Sequence, residues 1–257
     1  MLMMGGIYME SMEFDKAFYL GDYNRKFEEL AKLSPEEWSF DNKNDNGILK
    51  NYIKYTFLKL QEENKLIETS SYMVFNTGLF TEYYESIYAY AVKNLAGGEQ
   101  PWFLKGFCTE YELANNNIIE LPDRANYFAD PSLLVFDAKC KINVQYRHIF
   151  EDKTNLDRIP EEIKNNPTLV NNFNGEIERM KKKVIANYKI AVPQYYNGNI
   201  QLLLPLCLDG TDNPTVALVV TKQNEHVYQG HTCLTLDMAY NNARLIAKPD
   251  SNWLKPI

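Results

Sequence analysis

Three apolar runs in the last quarter of the chain decide the fold class: residues 200–208 (IQLLLPLCL), 215–221 (TVALVVT) and 228–236 (YQGHTCLTL). Each has strand length and is rich in leucine or β-branched residues. They are separated by residues 209–214 (DGTDNP) and by Asn224-Glu225, which are turn formers. That spacing specifies an antiparallel meander with at least one buried strand. Upstream, residues 167–188 read as a helix, because Leu169, Val170, Phe173, Ile177, Met180, Val184 and Ile185 form one apolar stripe. Downstream, residues 236–247 read as a last helix, stopped before Pro249.

Working toward the N-terminus, the spacing predicts extended segments over 142–149, 133–136, 102–113 and 65–78. Helices are predicted over 82–94, with Tyr83, Tyr84, Ile87 and Tyr88 as an aromatic face, and over 48–63. A further helix spans 22–33, and Ser34-Pro35 reads as the start of another. Helical and strand periods alternate in this way in an α+β protein with a mixed, mostly antiparallel sheet packed against helices. Residues 1–46 form an N-terminal arm with short helices. The polar stretch 41–47 (DNKNDNG) links it to a single domain, 47–257.

Composition narrows the function classes. The chain has 257 residues, 45% hydrophobic and 24% charged, which is globular and large enough for a core without covalent staples. Its 27 Lys+Arg against 34 Asp+Glu give a net charge of −7, which disfavours a protein that coats long duplexes but leaves room for a small cationic pocket. The four cysteines (Cys108, Cys140, Cys207, Cys233) are widely spaced, so free and mostly buried thiols in a reducing cytoplasm are expected. Met1 to Ser11 lacks the features of a signal peptide, and no run approaches the ~18 apolar residues of a membrane span. The three histidines have no metal-ligand spacing, and the P-loop, dinucleotide and nucleophile-elbow motifs are missing. No metal, cofactor or membrane partner is therefore expected.

Two segments carry the candidate chemistry. In residues 187–196 (NYKIAVPQYY), polar Asn187, Lys189, Gln194 and Tyr195 stand among apolar residues. Read as a strand, Lys189, Ala191 and Pro193 share a face. Lys189 then either holds a ligand anion, with Gln194 or Tyr195 beside it, or snorkels from a sheet edge. In residues 237–244 (DMAYNNAR), Asp237 caps a helix, and Asp237, Tyr240, Asn241 and Arg244 share a polar face. Arg244 either forks onto phosphate or carboxylate, or pairs with Asp237.

His148 is an acid–base candidate, with a structural histidine as the alternative. Asn76-Thr77-Gly78 either cradles an anion or makes a plain turn, and Arg124 and Arg158 are isolated anion contacts or surface charges.

These same segments carry a resemblance. The strings around Asn76, Arg124, His148, residues 187–195, residues 237–244 and Trp253-Leu254 resemble the family catalogued as domain of unknown function 3825, over residues 14–255. Members of that family stand beside cold-shock and LOTUS (OST-HTH) RNA-binding domains, which implies RNA-linked work but supplies no reaction.

The reading that follows is a binding module. A local cationic pocket of Lys189, Gln194, Tyr195, Tyr240 and Arg244, with Asn76, Thr77, Arg124, Asn187, Asp237 and His148, takes a nucleotide or a short single-stranded RNA. The alternative is a metal-independent RNase or phosphodiesterase. There His148 is the general acid or base, Lys189 and Arg244 stabilise developing charge, and Tyr195 positions the ribose. A third reading is a protein–protein scaffold, with a partner chain or a homodimer as its signature.

Overall fold

The computed structural model describes residues 12–40 and 43–256. The first eleven residues of the expected arm and the first two of the 41–47 linker lie outside them. The chain divides into two units, one ending at Asn126 and one beginning at Tyr127.

The first unit runs α1 (Phe14–Ala17), β1 (Phe18–Tyr19), α2 (Tyr23–Leu33), α3 (Gly47–Glu62), β2 (Ile67–Glu68), β3 (Tyr72–Phe80), β4 (Ser86–Lys93), β5 (Trp102–Cys108) and α4 (Glu110–Asn115). Its strands lie in the order β1-β5-β4-β3-β2, antiparallel except for β1 against β5. The arm belongs to this unit's core: Phe14, Phe18 and Phe27 are buried, and the Phe18 ring meets those of Phe57 and Phe75.

Three expectations change here. Ser34-Pro35 starts no helix; Ser34 closes α2, and its carbonyl accepts the indole N–H of buried Trp38 at 2.7 Å. The predicted helix over 82–94 is strand β4. Its Tyr, Ile and Val residues suit a sheet, and β4 is the central partner of both β3 and β5. The strand predicted over 102–113 ends at Cys108. Thr109 and Glu112 form a reciprocal capping box there that starts α4.

The second unit runs β6 (Lys141–Val144), α5 (Tyr146–Phe150), α6 (Lys153–Leu156), α7 (Glu161–Lys164), α8 (Leu169–Ala186), β7 (Val192–Tyr196), β8 (Asn199–Leu206), β9 (Val216–Asn224), β10 (Val227–Leu234) and α9 (Leu236–Arg244). The expected meander is present as β8, β9 and β10, with β7 extending it and β6 parallel to β10 at the other edge. Residues 133–136 are not a strand: Pro131–Leu134 is a short 3₁₀ helix. The extended segment over 142–149 divides at Gln145 into β6 and α5. On α8, Leu169, Phe173, Ile177, Met180 and Val184 are buried, while Val170 and Ile185 face out, so the stripe is narrower than its sequence suggests. That stripe packs on one sheet face, with Leu202, Leu204, Leu218, Val220 and Tyr228. Helix α9 packs on the other, chiefly against β7.

The two units share one topology. Each sets a short strand ahead of helices, then makes a four-stranded antiparallel meander and closes with a helix. In each, the first strand returns as an edge strand parallel to the last. Each last strand also carries a register shift, at Lys105 in β5 and at His231 in β10. In both, a basic side chain from the preceding helical segment bonds a carbonyl of that strand. Lys26 Nζ donates to the Lys105 carbonyl at 2.8 Å, and Arg158 Nη1 to the Cys233 carbonyl at 3.2 Å.

Candidate functional site

The two sequence motifs meet within the second unit. Asn242 Nδ2 of α9 donates to Gln194 Oε1 of β7 at 3.1 Å, and an apolar cavity of ≈ 230 Å³ is lined by Lys189, Ala191 and Pro193 from one motif and by Ala243, Ile246 and Ala247 beside the other. Their charged groups do not converge as expected. Tyr188–Ile190 is a 3₁₀ helix, not a strand, and Asn187 Oδ1 accepts its Lys189 N–H, so the alternation placing Lys189 with Pro193 does not operate. The ammonium of Lys189 is exposed and pairs with Asp250 at 3.2 Å. Its position is fixed by Ser251 Oγ, which donates to the Lys189 carbonyl, and by Trp253 Nε1, which donates to that of Ile190.

Lys189 also lines a second cavity, ≈ 290 Å³, with Lys183, Glu176, Asp212 and Asp250. Lys183 faces Asp212 at 3.8 Å, and Arg179 pairs with both Asp212 and Glu176. Lysines and carboxylates are matched there, so the cavity has no surplus of positive charge.

On α9 the face of Asp237, Tyr240 and Arg244 is not a solvated polar stripe, for Tyr240 and Arg244 are buried. Nor is Asp237 the cap: Thr235 is, its hydroxyl accepting the Met238 N–H, while Asp237 lies exposed in the first turn. Tyr195 is half-buried, its ring 5.0 Å from that of Tyr127.

In the first unit, Asn76 and Thr77 are buried and bonded within the protein, which removes the anion cradle. Thr77 Oγ1 donates to the Ile87 carbonyl at 2.6 Å, Asn76 Nδ2 donates to that of Pro122, and Asn76 Oδ1 accepts the Gly78 N–H. Arg124 is exposed and stacks over Phe80.

His148 is the expected residue that gathers others around it. Helix α5 presents it on the surface, and the amide nitrogen of Asn155 lies 3.2 Å from its Nε2 and 3.0 Å from its carbonyl oxygen. Asn155 is buried on α6, where Asp152 caps the helix by accepting its N–H. Its side-chain oxygen accepts from Thr232 Oγ1 of β10 at 2.7 Å. The same Thr232 oxygen accepts from Arg158 Nη1 at 3.0 Å.

The register shift of β10 makes His231 the extra residue beside Thr232. Burial, then the charge of His148, holds the His231 imidazole below its ordinary pKa. Arg158 is half-buried, and no carboxylate among the described residues pairs with it. The cluster His148, Asn155, Arg158, His231 and Thr232 thus holds one guanidinium that no described carboxylate pairs with.

The sequence singled out His148 and gave Arg158 as an isolated contact, but did not point to Asn155 or Thr232. The available signal was Asp152 three residues before Asn155, a cap spacing that marks the start of α6. Among the described residues, no three His, Cys, Asp or Glu side chains form a metal-binding group, and no helix is long and apolar enough to cross a membrane. All four cysteines are free, three of them buried.

The fold is therefore that of an α+β protein built from two mixed sheets, with its candidate chemistry in the second unit. The chain belongs to the family described as domain of unknown function (DUF3825), whose model matches residues 30–253 and so takes in both units. No curated protein and no solved structure matches the chain.

Proposed function

We propose that the second unit binds the phosphate of a nucleotide or of a short single-stranded RNA at the Arg158–His231–His148 cluster. The observation that carries this reading is Arg158, half-buried, without a described carboxylate partner and linked through Thr232 and Asn155 to His148. A guanidinium in that setting gains most from a dianion that presents several oxygens. Thr232 and Asn155 hold the geometry, so the Arg158 guanidinium needs little reordering on binding. Lys189 and Arg244 are outside this proposal, the first because Asp250 holds it and the second because it is buried. The free thiols fit a reducing cytoplasm as the compartment.

The test is titration calorimetry in EDTA with a nucleotide panel and short single-stranded RNAs. Arg158→Gln weakens binding at least tenfold if the reading holds. Unchanged affinity in that folded variant removes it.

A metal-independent phosphodiesterase is the second reading, favoured by the histidine pair. A neutral His231 takes the proton of a ribose 2′-hydroxyl, the 2′-oxygen bonds to phosphorus, and the bond from phosphorus to the 5′-oxygen breaks. Protonated His148 gives that oxygen its proton. Cleavage in EDTA that is lost in His148→Ala and in His231→Ala supports this reading. Cleavage that survives either change excludes it.

A further inference from the structure

The face of the second sheet that carries Thr232, opposite Val219, also carries a continuous polar row. Gln194 of β7 stands opposite Gln201 of β8; next in the row comes Thr221 of β9, opposite Gln229 of β10, and Gln229 stands beside Asn143 of β6. One side chain from each of the five strands thus falls at one register and on one face. Hydrogen bonds join most of the row: Asn242 to Gln194 at 3.1 Å, Gln194 to Gln201 at 2.8 Å, Gln201 to Thr221 at 3.0 Å, and Asn143 to Gln229 at 3.3 Å. Helix α9 covers the buried Gln194 end, whereas Gln201, Thr221 and Gln229 are half-buried and Asn143 is exposed.

Each amide has two donor hydrogens and two acceptor lone pairs, and the bonds within the row use only part of that capacity. What remains is a line of paired donors and acceptors, the pattern that Watson–Crick edges present. On β10, Gln229 and Thr232 lie on this face on either side of the bulge at His231, opposite Thr221 and Val219 of β9. The row therefore runs up to the cation cluster.

We infer that this row is the base-reading track of the phosphate site, and that the ligand is a single strand, not a free mononucleotide. This rests on the phosphate-binding reading above and specifies its ligand. The open part of the row, Gln201 to Asn143, covers three interstrand steps or about 14 Å, which suits a short single-stranded site of roughly three to four nucleotides. A duplex hides its base edges from such a row, so it is not the partner.

The test is fluorescence anisotropy competition with 5′-phosphorylated RNAs of increasing length, from one nucleotide to six, and with a duplex of the same sequence. Wild type gains at least tenfold in affinity from one nucleotide to four and then levels off. The Gln229→Ala/Asn143→Ala variant, altered at the open end of the row, keeps mononucleotide affinity and loses that gain. A mononucleotide that binds as tightly as a tetranucleotide overturns the track while leaving the phosphate site standing. Equal binding of duplex and single strand does the same, as does a length gain that persists in the double variant. If no RNA of any length binds wild type, both readings fall together.

Discussion

Thr232→Val separates the geometry of the cation cluster from any ligand. The two side chains are nearly isosteric, so packing in β10 is little changed and the effect lies in hydrogen bonding. The hydroxyl donates to Asn155 Oδ1 at 2.7 Å and accepts from Arg158 Nη1 at 3.0 Å. Asn155 is 5% exposed, so its oxygen has little water to replace the lost donor; leaving it unsatisfied costs about 1–3 kcal/mol. Arg158 keeps its bond to the Cys233 carbonyl at 3.2 Å and is only half-buried, so its loss adds about 0.5 kcal/mol. The expected destabilisation of the second unit is about 2 kcal/mol, or a Tm lower by roughly 4–10 °C. Hydrogen exchange followed on peptides after Asn126 assigns the change to that unit. Thr232→Ser keeps the hydroxyl and should stay within about 0.5 kcal/mol of wild type. A valine variant as stable as wild type, or a serine variant as damaged as the valine one, would refute the hydrogen-bond account.

Three other outcomes are expected. His231 has a folded pKa below 6.5, so its neutral form is favoured by the fold; the associated stability is full above pH 6.5 and lost as pH falls through the lower folded value, and His231→Gln should flatten that part of the Tm–pH curve. Gly78 has φ +74°, and a Cβ there would lie 2.7 Å from the Tyr52 hydroxyl, so Gly78→Ala should destabilise the first unit by about 1–3 kcal/mol in urea unfolding, whereas Gly97→Ala, also at positive φ but with open space, should lose less. Burial pushes the Cys108 and Cys233 thiols up to about 12, so iodoacetamide at pH 8 should label them far more slowly than a free thiol; rapid native-state labelling of buried Cys233 would contradict that packing.

Much of the second unit was legible because its signals are local. The runs over 200–236 and the stripe from Leu169 to Val184 are dense apolar patterns bounded by turn formers, and tertiary contacts reinforce them. Strand β4 was not legible, since Tyr83, Tyr84, Ile87 and Tyr88 imitate a helical repeat. Tyr83 and Tyr84 are in fact exposed ahead of the strand, Tyr84 at φ +62°, and only pairing with β3 and β5 decides the matter. The candidate site was less legible still. Lys189 finds Asp250 across 61 positions, and Thr232 finds Asn155 across 77, so which charges are neutralised and which are left over is a property of the fold alone.

The parallel edge strands have a consequence in time. Lys141 pairs with Val227, and Phe18 with Trp102, so each sheet is completed only when its last strand has been made. At about 5–20 residues per second on the ribosome, β6 waits several seconds for β10. Until then Asn155 lacks Thr232, and Arg158 lacks both of its acceptors. The nascent second unit therefore has helices and most of a meander, but no such cluster, until β10 has been made.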